Sequence, residues 1–128
     1  MKLIKVEGKL VKRGNPSINI RNVGAISFSK EFCEMAAITV DDKVGFYQDE
    51  EKPTDWYAAF SKDETGELRH ANAEKKTSLM TGNAFIARKI LSSIEVYDKS
   101  VTLKMSTNAE KVDGKKYYAI LTKSANQS

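Results

Sequence analysis

Cysteine is nearly absent from this chain. Cys33 stands alone, so no intramolecular disulfide is available, and the fold must rest on its core and its backbone pairing. Its position on an apolar helix face predicts a buried thiol instead of a reactive one, and such cysteine usage suits a reducing, cytoplasmic setting. Histidine is as scarce. His70 by itself cannot assemble the several ligands a zinc site needs, so it reads as a solvated strand residue, and neither metal nor cofactor is expected. The seven glycines are scattered and form neither a phosphate-cradling loop nor a dinucleotide fingerprint. Long apolar runs are missing too. Nothing approaches the roughly 18 residues that span a bilayer, and residues 1–7 interrupt their apolar positions with charge, which reads as a first strand and not as a leader. No membrane association is expected.

Carboxylates do pair, at Asp41-Asp42 and Asp49-Glu50-Glu51, but beside Lys43 and Lys52 in turn-like segments, where acidic residues solvate a loop. General acid–base chemistry needs such groups lining a cleft. The chain therefore reads as a protein that is not an enzyme.

What is present suits one globular domain. Hydrophobic residues at 41% and charged residues at 30% lie far from the disordered regime, and 128 residues can bury about two-thirds of the unfolded surface. The formal net charge of +4 favours polyanions modestly.

Sliding the sequence against itself by about 58 positions pairs Gly8 with Gly66, Leu10 with Leu68, Gly24 with Gly82, Lys30 with Arg88, Phe32 with Ile90 and Ile38 with Val96. With small gaps, Trp56-Tyr57-Ala58-Ala59-Phe60 then falls on Tyr117-Tyr118-Ala119-Ile120-Leu121. These matches predict an internal duplication: a single domain, 1–128, made of two pseudo-repeats at about 8–65 and 66–124. The predicted fold class is α+β, a tandem pseudo-repeat of antiparallel β-sheets, each with one short helix.

Within the first unit, strands are predicted at 8–13 and across 17–28, where Ile18 and Ile20, then Ile26 and Phe28, alternate. Ser29 caps a helix over about 30–37 with Phe32, Met35 and Ala36 facing the sheet. A hairpin follows at 43–48 and 55–62. In the second unit Asn83 caps a longer helix to 93 with Ile86, Ile90 and Ile94 on its stripe, and Val101, Leu103 and Met105 alternate inward. Asp113-Gly114 marks the last turn, and the tail 124–128 is expected to fray.

Basic residues gather on the early strands of each unit: Lys9, Lys12, Arg13 and Arg21 in the first, Arg69, Lys75 and Lys76 in the second. They form the candidate phosphate-binding set. Trp56 and Tyr57 must point to opposite sheet faces, as must Tyr117 and Tyr118, so one of each pair can lie open for base stacking, and Trp56 and Tyr117 are the candidates. The competing reading makes all four aromatics core.

The stretch Asp63-Glu64-Thr65-Gly66-Glu67-Leu68, followed by Lys75-Lys76-Thr77-Ser78-Leu79 and a helix, resembles the sheet-to-helix ending of positive cofactor four and its Pur-alpha and Whirly relatives. Gly8-Lys9-Leu10 leading to Gly24-Ala25-Ile26-Ser27-Phe28 is similar. That resemblance implies a curved four-stranded antiparallel sheet plus helix that holds single-stranded DNA or RNA, with residues 43–95 as one complete module. Ile26 to Phe32, continuing through Ile38-Thr39-Val40-Asp41-Asp42-Lys43-Val44-Gly45-Phe46, resembles the AbrB-type swapped hairpin, which implies duplex DNA bound by a dimer. The expected function is thus nucleic-acid binding, single strands preferred, of a kind that fits transcription or replication, with nucleic acid as the partner and homodimer formation compatible with it. The rival is a structural or protein-interaction module of the phage or mobile-element type.

Overall fold

The computed structural model of the chain describes residues 16–71, 78–97 and 99–122. The predicted strand at 8–13 and the tail 124–128 lie outside them. The elements run β1 (Ser17–Ile20), β2 (Ala25–Phe28), α1 (Lys30–Ala36), β3 (Lys43–Gln48), β4 (Trp56–Ser61), β5 (Gly66–Glu67), β6 (Arg69–His70), β7 (Leu79–Gly82), α2 (Ala84–Ser93), β8 (Val101–Met105), β9 (Glu110–Val112) and β10 (Lys115–Leu121).

All pairings are antiparallel, in the spatial order β5-β3-β4-β10-β8-β1-β2-β7-β6, with β9 as a flap on β10. The two ends of that order are neighbours in the chain. Gly66 pairs with Val44 of β3, Arg69 pairs with Met80 of β7, and buried Leu68 turns between them. Residues 66–70 therefore bridge both edges, and the sheet is a nearly closed barrel.

This overturns the expected α+β arrangement of two sheets, each with its own helix. The β2–β7 ladder, Ala25 to Phe28 against Gly82 to Leu79, and the β4–β10 ladder, Trp56 to Ala58 against Ile120 to Tyr118, join strands from the two halves of the chain. Period-2 alternation tells which face of each strand is buried but carries no information on its partner. Closing the sheet satisfies the backbone groups that two separate sheets would leave on four edges.

Alternation then fills the interior. Ile18, Ile20, Ile26, Phe28, Val44, Trp56, Ala58, Leu79, Val101, Leu103, Met105 and Ile120 are all buried in one cluster. Each helix adds to it. Ser29 Oγ accepts from the Phe32 amide at 3.2 Å to start α1, and Phe32 enters a ring cluster with Phe28 (5.6 Å), Phe60 (5.6 Å) and Tyr118 (5.2 Å). Ala37 ends the helix in the left-handed region at φ 54°. Cys33 shares the buried face with Phe32, whereas Met35, expected there, is 37% exposed. In a helix this short the stripe runs through Phe32, Cys33 and Ala36, leaving Met35 at its margin. For α2, Asn83 Oδ1 accepts from the Ile86 amide at 3.0 Å, and Ala87, Ile90 and Leu91 are buried.

Candidate nucleic-acid interface

Gly24 sets the local geometry of the outer surface. Its φ of 110° suits glycine alone, and an added Cβ would sit 3.0 Å from Ala84 Cα. That close approach presses the turn at 21–24 against the start of α2, where the Asn83 amide donates to the Gly24 carbonyl at 2.9 Å. The turn is closed by the Gly24 amide on the Arg21 carbonyl, also 2.9 Å. Further along α2, Arg88 Nε donates to the Asn22 carbonyl at 3.4 Å.

With its buried side fixed by Ala87, Ile90 and Leu91, α2 turns Phe85, Arg88 and Lys89 outward, at positions i, i+3 and i+4. Phe85 is 73% exposed and Tyr97, just beyond the helix, is 71% exposed. Lys89 Nζ lies 5.7 Å from the Phe85 ring centroid, within cation–π range. Between the two aromatics is a recess of about 570 Å³ lined by Asn22, Phe85, Arg88, Lys89, Ser92 and Tyr97, over a floor of Leu91 and Val96. No acidic side chain lines it among the described residues. Val23, which follows Asn22 in the chain, is 72% exposed, and Arg21 stands one residue before Asn22.

The sequence-predicted site residues distribute differently. Lys9, Lys12, Arg13, Lys75 and Lys76 lie outside the described residues. Arg21 is exposed and precedes Asn22 of the recess in the chain. Arg69 is exposed on β6 but lines a separate recess at the barrel seam, with Glu64, Glu67, Thr81 and Asn83. Trp56 is 4% exposed: it alternates inward with Ala58, and its indole Nε1 donates to Ser93 Oγ at 3.0 Å, so its place is the core and not a stacking surface.

Tyr117 does face outward, half-buried on β10, edge-on to Tyr47 with centroids 5.1 Å apart. Its surroundings are acidic as well as aromatic, since Asp49 and Glu110 share its cavity. Phosphate would be repelled there. Sequence reasoning missed Phe85, Arg88, Lys89 and Tyr97. A signal for three of them was available, because Phe85 falls off the Ile86–Ile90–Ile94 stripe and projects an aromatic on the polar side of the helix together with Arg88 and Lys89.

The acidic pairs sit where the sequence put them. Asp42 Oδ2 accepts from the Thr39 amide at 2.9 Å, and Asp49 Oδ1 accepts from the Glu51 amide at 2.8 Å, so both carboxylates brace turns. His70 is a half-buried strand residue whose Nδ1 is enclosed without a hydrogen-bond partner among the described residues. Among those residues no group of three metal-binding side chains comes together, and no helix is long and apolar enough to cross a membrane. No family model, curated protein or solved structure matches this chain.

Proposed function

We propose that the chain binds single-stranded nucleic acid across the outer face of α2, with Phe85 and Tyr97 stacking on bases and Arg88, Lys89 and Arg21 engaging phosphates. The observation that carries this reading is the pairing of two largely exposed aromatic rings with two cations around one recess that no described acid lines. Single strands are recognised by this combination, because every base offers a π-face and the backbone offers charge. In a duplex the base faces stack on one another and are closed to an aromatic on a convex helix.

The transcription- or replication-associated role rests on the same proposal.

The test is titration of a fluorescent oligothymidylate with the full chain at several salt concentrations. Arg88→Ala should weaken binding and flatten the log–log salt slope by about 0.7, since one phosphate fewer is neutralised. Phe85→Ala should cost about 1–3 kcal/mol with the slope nearly unchanged. An equal-length duplex should bind more weakly. Absence of binding by either form at micromolar protein and low salt overturns the proposal, and the α2 patch is then read as a protein-docking face, the interaction-module alternative.

A further inference from the structure

A second recess, on the outside of the sheet and away from α2, has the opposite electrostatic character. Tyr47 and Tyr57 are direct cross-strand partners on β3 and β4, and Tyr57 is in turn opposite Ala119 on β10, two residues from Tyr117. All three rings therefore stand on one outward sheet face. Tyr47 and Tyr117 touch edge to face, centroids 5.1 Å apart at an interplanar angle of 86°, and Tyr57 lines the same cavity beside them. Glu110, opposite Tyr117 on β9, and Asp49, just beyond β3, complete a cavity of about 340 Å³ with Gln48 and Val112.

The walls already hold one cation. Lys115 Nζ lies 5.1 Å from the Tyr47 centroid and 5.7 Å from that of Tyr117. It donates to the Tyr47 hydroxyl oxygen at 2.9 Å and ion-pairs with Glu64, so its charge is matched from outside the cavity. The Tyr47 hydroxyl in turn donates to the Glu64 carboxylate, with oxygens at 2.8 and 2.9 Å, which fixes the ring as a wall. Glu110 and Asp49 supply negative charge inside the cavity. The Tyr57 hydroxyl registers it, holding its proton above the usual tyrosine range through burial first and then through Glu110, Asp55 and Asp49.

We propose that this tyrosine-walled cavity binds an arginine side chain displayed by a partner protein. Aromatic faces attract a cation, and the flat guanidinium both stacks on a ring and donates in a fork to carboxylates on either side, which an ammonium point charge does not do. Charge complementarity thus selects the occupant. The site is independent of the α2 face and carries the sign that repels phosphate.

The test uses the full chain with isotope-labelled tyrosine, titrated with the capped tripeptide Gly-Arg-Gly and with its lysine and citrulline counterparts, read by NMR of the tyrosine rings. The arginine peptide should shift Tyr47, Tyr57 and Tyr117, with the lysine peptide weaker and the neutral citrulline peptide at least tenfold weaker. Glu110→Gln, an exposed change on a flap strand, should weaken arginine binding about two- to fivefold, and Tyr117→Leu by a similar factor. The Tyr117 variant is scored only if its melting temperature is retained, and Glu110→Gln serves as the decisive variant otherwise. Equal binding of the citrulline or lysine peptide, no shift at millimolar arginine peptide, or a Glu110→Gln variant that binds arginine as well as the parent would each overturn the proposal.

Discussion

Closure of the barrel hangs on a short seam, and Gly66 is its tightest point. Among the described residues of the seam, the two-residue strand Gly66–Glu67 pairs with β3 and the two-residue strand Arg69–His70 pairs with β7. A Cβ at residue 66 would lie 2.7 Å from the Val44 carbonyl oxygen and 3.0 Å from Val44 Cγ1. The first of these is backbone in the neighbouring strand and cannot swing aside, so Gly66→Ala must push β5 away from β3. Overpacking of this kind costs about 1–3 kcal/mol. Losing one seam hydrogen bond adds about 0.5–1.5 kcal/mol.

The expected loss is therefore about 2–4 kcal/mol, which for a domain of this size lowers the melting temperature by roughly 10 °C. Gly82→Ala is the matched control, because nothing lies within 4 Å of its added Cβ. It should stay within about 0.5 kcal/mol of the parent. Urea unfolding followed by far-UV circular dichroism measures both, and amide exchange locates the damage. Exchange should rise at Lys43 and Val44 while the β1–β8 ladder stays protected. A Gly66→Ala protein as stable as Gly82→Ala would show that residues 66–70 do not close the barrel.

Two other perturbations have opposite targets, one the core thiol and one the core indole. Burial, the largest influence, holds the Cys33 thiol above its ordinary value of 9.0, so the folded state keeps a proton that the unfolded chain releases; stability is intact below pH 9 and should fall as pH rises beyond it. Cys33→Ser should flatten that alkaline decline in urea titrations, and native Cys33 should react with a thiol reagent only as fast as the protein opens. Trp56→Phe, which loses the hydrogen bond to Ser93, should cost about 1–3 kcal/mol of stability yet leave oligonucleotide affinity unchanged, the reverse of Phe85→Ala; a Trp56 variant that folds normally but binds tenfold more weakly would return the tryptophan to the interface.

Local order was legible in the sequence because its causes are local. Ser29 and Asn83 cap the two helices as their side chains predict, the hairpin at Lys43–Gln48 and Trp56–Ser61 brackets its acidic loop, and Asp113 and Gly114 take the positive φ values, 52° and 81°, of a tight turn. The alternation at Val101, Leu103 and Met105 was right for the same reason, since a strand with one buried face must alternate wherever its partner lies. Pairing was not legible. That β2 meets β7 and β4 meets β10 depends on how the halves of the chain come together, and a strand exposes the same hydrophobic pattern to either partner.

The displacement of the candidate site follows from that gap. Assigning Trp56 and Tyr117 to stacking required knowing which sheet face stays open, and a sheet that closes on itself resolves the question in one direction for all its strands: the face holding Trp56, Phe60 and Tyr118 becomes interior, and the face holding Tyr47, Tyr57 and Tyr117 becomes exterior. The charge of that exterior comes from two local hairpins, because the β9 flap sets Glu110 across from Tyr117 and the β3–β4 loop leaves Asp49 at the rim, which turns an aromatic surface suited to bases into one suited to a cation. The helix surface escapes this dependence. A residue's side of a helix is settled by its spacing from the buried stripe, so Phe85, Arg88 and Lys89 would face outward in any packing that buries Ala87, Ile90 and Leu91. The firmest guide to the exposed face proposed for nucleic acid was thus the helical period, and the strand aromatics, which look more suggestive, carried less information about what is exposed.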